Sequence, residues 1–170
     1  MSNPRTLNKI INLGPILFLY YLSFSEIDSH FENFFEILSF NIQLILIYFW
    51  VSKRPEALGS GHIFFAGLIN DVVMGFPLGL SSLSYLVVSF VASYVKHMTV
   101  HTKITTDWFT FFIAIFFSNI IFFILLSNFS EIAISFTEIS YNTFFTLLFF
   151  PFFWFIFSYY NSIIITGKNA

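Results

Sequence analysis

Long apolar stretches alternate with short polar ones along this chain, and the alternation predicts membrane-spanning helices. The stretches over residues 78–95, 108–126 and 141–160 are long enough to cross a hydrocarbon core of about 30 Å as helices. The first and third stretches are short and reach that length only with uncharged flanking residues. We therefore predict six spans, over residues 10–25, 34–51, 60–76, 78–95, 108–126 and 141–160. Five spans are the alternative.

The composition also indicates an all-α membrane protein. Of the 170 residues, 57% are hydrophobic and 9% are charged, and the mean hydropathy is +0.82, whereas a soluble domain carries about 25% charged residues. Because six spans use most of the chain, we expect residues 1–170 to form one polytopic domain in contact with the lipid bilayer. The chain has no cysteine, which excludes disulfides and thiolate catalysis. It also shows no basic surface suited to nucleic acid.

The charged residues predict how the spans are oriented. Every Lys and Arg falls on one side of the predicted spans, and the positive-inside rule makes that side, with both termini, cytoplasmic. Most of the acidic residues fall instead in the two longer outer loops. They are Glu26, Asp28, Glu32, Glu36, Glu131 and Glu138.

The segment GLINDVVMGFPLGLSSLSYL interrupts the apolar pattern near the middle of the chain. Pro77 removes a backbone donor, and the flanking Gly75 and Gly79 allow backbone angles that other residues avoid, so we predict a tight hairpin between spans three and four. Asp71, beside Asn70, lies about one turn from the outer end of span three. An intramembrane acid is a candidate functional residue, but one near a helix end is more often structural, and we favour the structural interpretation.

A row of hydroxyl side chains runs along span four. Ser82, Tyr85, Ser89 and Ser93 recur at steps of three and four residues, which places them on one side of a helix. In lipid such a row usually faces another helix, and we predict a helix-packing stripe, with a ligand-lining role as the alternative.

Residues that could support catalysis or metal binding are sparse. His97 and His101 have helical spacing but lack a third ligand and the Glu of an H-E-x-x-H motif. Asp71 is interpreted as the only acid inside an apolar run without a plausible loop assignment, and a lone carboxylate cannot carry out two-carboxylate chemistry. We therefore expect no catalytic residues, no metal and no cofactor.

The central segment resembles the MreD family of integral membrane proteins from the bacterial rod-shape machinery. A W-x-x-x-R-P element at Trp50, Arg54 and Pro55 precedes span three, and the family pattern continues through the hairpin to Lys96 and His97 at the end of span four. The residues matching the pattern between these two elements are Gly67, Leu68, Asp71, Gly75, Pro77, Leu78 and Gly79.

This resemblance implies a noncatalytic subunit of the lateral-wall elongation complex, located in the bacterial cytoplasmic (inner) membrane. The implied partners are an MreC-like bitopic protein, the actin-like MreB, a class B penicillin-binding transpeptidase and a SEDS glycosyltransferase. The implied fold is similar to the substrate-binding subunit of energy-coupling-factor vitamin transporters. Gly67, Asn70, Asp71, Gly75, Pro77 and Gly79 then form the expected partner-contact or structural motif.

The shared fold leaves a rival function open. In a small-molecule carrier subunit, Asn70, Asp71 and the serines of span four would line an outward pocket. Such a carrier would depend on an ATP-driven partner, because the chain has no nucleotide-binding motif.

Overall fold

The computed structural model describes residues 4–24, 41–98, 103–129 and 136–168. These residues form six α-helices, a single 3-10 turn at Pro55–Ala57 and no strand, so the all-helical fold class is confirmed for the described part of the chain. The helices are α1 (Pro4–Phe24), α2 (Ile42–Lys53), α3 (Ser60–Met74), α4 (Leu80–Met98), α5 (Ile104–Phe129) and α6 (Phe136–Lys168).

Two helical segments are long and apolar enough to cross a membrane, Ile104–Phe129 in α5 and Ile139–Ile165 in α6. Three shorter apolar segments lie in α1, α2 and α3. The membrane character expected from composition is thus present in the described helices, whereas six crossings and cytoplasmic termini stay predictions.

Several helix limits differ from the predicted spans. The span expected over 78–95 begins as α4 at Leu80, because the preceding residues form the turn. The span expected over 108–126 begins as α5 at Ile104, since the polar residues before Trp108 form its first turn. Helix α6 exceeds the predicted 141–160 at both ends. Residues 34–40 of the second predicted span lie outside the described residues.

Helix α2 occupies the centre of the bundle. It is only 12 residues long, or about 18 Å, and every residue from Leu44 to Ser52 is buried. A helix that is apolar on all sides is typical of a core position. Around it, α1 packs against α3, α3 against α4, α4 against α5, α5 against α6 and α6 against α1, which closes a ring of five helices.

Aromatic rings fill the space between the central helix and the ring. Phe111 of α5 stacks on Phe150 of α6 with ring centroids 4.5 Å apart. Tyr48 of α2 meets both rings edge-on, at 5.2 Å and 5.8 Å. Aromatic pairs prefer these offset and edge-to-face arrangements, so the cluster fixes α5 and α6 against α2.

The connection between α3 and α4 is a tight turn with two left-handed positions. Helix α3 ends at Met74, its C-cap residue Gly75 has φ of 69°, and Gly79 has φ of 98°. The N–H of Phe76 donates to the carbonyl of Asp71 at 2.9 Å, which satisfies an acceptor of the last helical turn. The hairpin predicted from Pro77 and its flanking glycines is therefore present.

We expect Gly79→Ala to destabilise the protein by about 1–2 kcal/mol, because a side chain disfavours positive φ. Gly59→Ala is the matched control. A Cβ would find no heavy atom within 4 Å at either position, but Gly59 has φ of −71°. Thermal unfolding in detergent measures both variants, and equal stabilities would show that positive φ at Gly79 carries no cost.

Candidate functional site

Asp71 joins the end of α3 to the start of α4. Its side chain is fully buried, and Oδ2 accepts a hydrogen bond from the N–H of Gly79 at 2.8 Å. Oδ1 accepts from the N–H of Ser81, also at 2.8 Å. The first N–H groups of a helix have no partner within it, and a negative charge there is favourable. The carboxylate therefore caps α4 from within α3.

Gly67 allows the backbones of α3 and α4 to approach closely. A Cβ at this position would lie 2.6 Å from the backbone nitrogen of Ser82 and 2.8 Å from its Oγ. The Ser82 hydroxyl donates to the carbonyl of Phe64 at 2.9 Å, so the two helices also share a hydrogen bond at this crossing. Small residues at membrane helix interfaces typically permit such contact.

A chain of polar side chains connects α2, α3 and α4 beside this crossing. The Tyr85 hydroxyl donates to Gln43 Oε1, and Gln43 Nε2 donates to Asn70 Oδ1 at 3.2 Å. Asn70 Nδ2 then donates to Ser81 Oγ at 3.1 Å. Because the amides of Gln43 and Asn70 each use both their oxygen and their nitrogen, the chain satisfies its partly buried groups from within the protein.

The predicted stripe on α4 lies mainly inside the bundle. Ser82, Tyr85 and Ser89 are buried, and Ser93 is half-buried. Sequence reasoning missed the buried Ser84, whose hydroxyl lies 2.9 Å from that of Ser118 on α5. Each of these two hydroxyls is also within 3.1 Å of the other residue's carbonyl oxygen. This reciprocal pair joins α4 to α5, on a side of α4 adjacent to the predicted stripe.

We expect Tyr85→Phe to lower the free energy of unfolding by about 1 kcal/mol, since Gln43 Oε1 loses its donor in a part-buried site. Tyr94→Phe on the same helix is the matched control, because that ring is 56% exposed. Denaturant unfolding in detergent compares the two variants. A Tyr85→Phe variant as stable as the control would contradict the role assigned to this hydrogen-bond chain.

A second buried acid, Asp107, lies at the opposite end of the bundle. Its Oδ2 is 2.7 Å from the Lys53 ammonium and accepts a hydrogen bond from Trp154 Nε1 at 3.0 Å. The Lys53 nitrogen also lies 5.7 Å from the centroid of the Trp154 ring. Lysine in the last turn of α2 and aspartate in the first turn of α5 both suit the helix dipoles. The contacts hold α2, α5 and α6 together.

The interpretation of Asp71 as the one acid inside an apolar segment is therefore wrong. The predicted span over 108–126 leaves Asp107 outside the helix, yet α5 begins at Ile104 and buries Asp107 fully. A signal was available in the sequence, since acidic residues favour the first turn of a helix and Asp107 directly precedes the apolar run.

The two buried acids are separated and cannot act as a catalytic pair. Asp71 lies in the last turn of α3, whereas Asp107 lies in the first turn of α5, and antiparallel α3, α4 and α5 put these turns at opposite ends. The residues that the structure describes contain no group of three or more potential metal ligands among His, Cys, Asp and Glu. The two carboxylates instead bind backbone and side-chain donors of the protein itself.

No family model, no curated protein and no solved structure matches this chain.

Proposed function

We propose that this protein is a noncatalytic, multi-pass subunit of the bacterial rod-shape and elongation complex, of the MreD type. It binds an MreC-like bitopic membrane protein and helps to organise lateral peptidoglycan synthesis by the MreB-associated transpeptidase and SEDS glycosyltransferase. Its place is the cytoplasmic membrane, with six spans and both termini on the cytoplasmic side.

This proposal is supported mainly by the structural roles of the residues that match the MreD pattern. Gly67 permits the α3–α4 crossing, Asp71 caps α4, and Gly75 and Gly79 take positive φ in the turn. Both carboxylate oxygens of Asp71 are occupied by backbone N–H groups, which suits a structural residue rather than a proton carrier. The motif thus supports a rigid hairpin that presents a surface to partners.

Membrane placement is supported by the surface of the long helices. Many large apolar side chains on α5 and α6 are exposed, among them Phe112, Phe116, Phe152 and Phe155. A soluble protein rarely exposes an apolar surface of this extent. In a bilayer these side chains would contact lipid.

The positions of the basic residues support the orientation. Lys53 ends α2, Lys96 lies in the last turn of α4, and Lys103 directly precedes α5. In an antiparallel arrangement these three positions share one end of the bundle, which the positive-inside rule makes cytoplasmic.

The rival carrier function requires Asn70 and Asp71 to face a ligand. Both side chains instead have partners within the protein, Gln43 and Ser81 for Asn70 and two backbone N–H groups for Asp71. Opening a pocket here would leave these groups without partners, so the contacts favour the scaffold.

Depletion of the protein in its source cell tests the proposal. We expect rod-shaped cells to become round, and expression of the wild-type chain to restore the rods. The Gly61→Ala variant, altered at an exposed position, should restore shape equally well. Retention of rod shape after depletion, with a new requirement for an external vitamin, would instead indicate the carrier.

A further inference from the structure

Arg54 carries a positive charge that its surroundings satisfy only in part. It follows α2 directly, its side chain is 13% exposed, and its Nη1 is buried without a hydrogen-bond partner. The Nε donates to Glu56 Oε1 at 3.2 Å. A buried donor on a charged group is costly to leave without a partner, so the guanidinium is suited to bind a further anionic oxygen.

The carboxylate of Glu56 occupies the position beside Arg54 in which such an anion would bind. Its side chain is 65% exposed, so its ion pair with Arg54 is open to solvent and contributes little to stability. Burial acts to raise the pKa of Glu56. The hydrogen bond from its own backbone, the hydrogen bond from Arg54 and the charges of Arg54 and Lys96 outweigh burial and lower the pKa. The position of this carboxylate therefore favours negative charge and is accessible from outside.

The ligand must be anionic and must reach this end of the bundle. Lys96 and Lys103 lie there as well, as do His62 and His97 on the adjoining helix ends. If this end faces the cytoplasmic leaflet, the nearest abundant anions are the phosphate groups of acidic lipids. A guanidinium matches a phosphate because its planar N–H groups can contact two oxygens at once.

We propose that Arg54, together with Lys96, binds the phosphate of an anionic phospholipid headgroup, and that the Glu56 carboxylate occupies this place when no lipid is bound. The ligand displaces the Glu56 carboxylate from Arg54 Nε, which donates to the phosphate instead. The site rests on the membrane placement proposed above but does not require the elongation complex.

Native mass spectrometry of the full chain in a mild detergent, titrated with phosphatidylglycerol, tests the site. We expect Arg54→Gln to weaken binding about tenfold, as loss of a charge-assisted contact implies. Lys103→Gln is the matched control, because Lys103 is exposed and carries the same charge at the same end. It should weaken binding less than about threefold, as expected of a solvent-exposed charge.

Glu56→Gln keeps the test decisive if Arg54→Gln folds poorly, because Glu56 is exposed and its loss should tighten binding several-fold. Equal losses for Arg54→Gln and Lys103→Gln, or unchanged binding by Glu56→Gln, would overturn the proposal. Competition with inorganic phosphate distinguishes an intact lipid headgroup from free phosphate as the ligand of this site. Displacement of the lipid by phosphate supports a site for either source, and resistance to phosphate supports a site for the intact headgroup. Because no partner protein is present, this result is independent of the depletion experiment.

Discussion

Gly67→Ala should lower the free energy of unfolding by about 3 kcal/mol, at the upper end of the usual cost of overpacking. The added methyl group would lie 2.6 Å from the backbone nitrogen of Ser82. A flexible side chain could move aside, but here the obstacle is the backbone of α4. The helices must separate, and the hydrogen bond from Ser82 to Phe64 is weakened as they do so.

Gly61→Ala on the same helix is the control for this substitution. A Cβ at Gly61 would meet no heavy atom within 4 Å, and alanine favours the helix over glycine by up to about 1 kcal/mol. The two variants therefore make the same chemical change with opposite expected signs. Unfolding of both in the same detergent, followed by circular dichroism, measures the difference. Equal stabilities would contradict the close crossing of α3 and α4.

Asp71→Leu should cost about 4 kcal/mol, because the N–H groups of Gly79 and Ser81 both lose their acceptor in a buried site. Asp71→Asn retains one acceptor oxygen, so it should cost only about 1–2 kcal/mol. This graded pair separates the loss of one acceptor together with the charge, in Asp71→Asn, from the loss of both acceptors, in Asp71→Leu. Thermal unfolding in detergent gives both values, and two variants of equal stability would contradict the assignment of both oxygens to capping.

The milder substitution also tests the functional proposal. We expect Asp71→Asn to leave the chain inserted in the membrane but to weaken its assembly with partners, since it loosens the hairpin that we propose as their contact. Unchanged recovery of partners with this variant would remove the α3–α4 hairpin from the contact surface.

Local features of the sequence were enough to predict the hairpin and most of the α4 stripe. Pro77 between two glycines allows few conformations, and a three-and-four spacing of hydroxyls places them on one side of a helix. The central position of α2 could also have been predicted from its apolar residues on all sides. These features depend on residues close together in the chain.

The contacts between distant residues could not be predicted from the sequence. Nothing near Lys53 indicates that its partner is Asp107, and nothing near Ser84 indicates Ser118. Gln43 is a polar residue at the start of the apolar helix α2, and only the packing of three helices shows that Asn70 and Tyr85 satisfy it. Such contacts depend on which helices are neighbours, and a single sequence does not contain that information.

Affinity purification of the protein from its native membranes in a gentle detergent, with mass spectrometry of the proteins that accompany it, tests the proposed scaffold function. We predict recovery of an MreC-like bitopic protein or a cell-wall synthase, in smaller amount with Asp71→Asn than with Gly61→Ala. Recovery of an ATP-binding-cassette energising module, without any cell-wall protein, would contradict it and identify the chain as a carrier subunit.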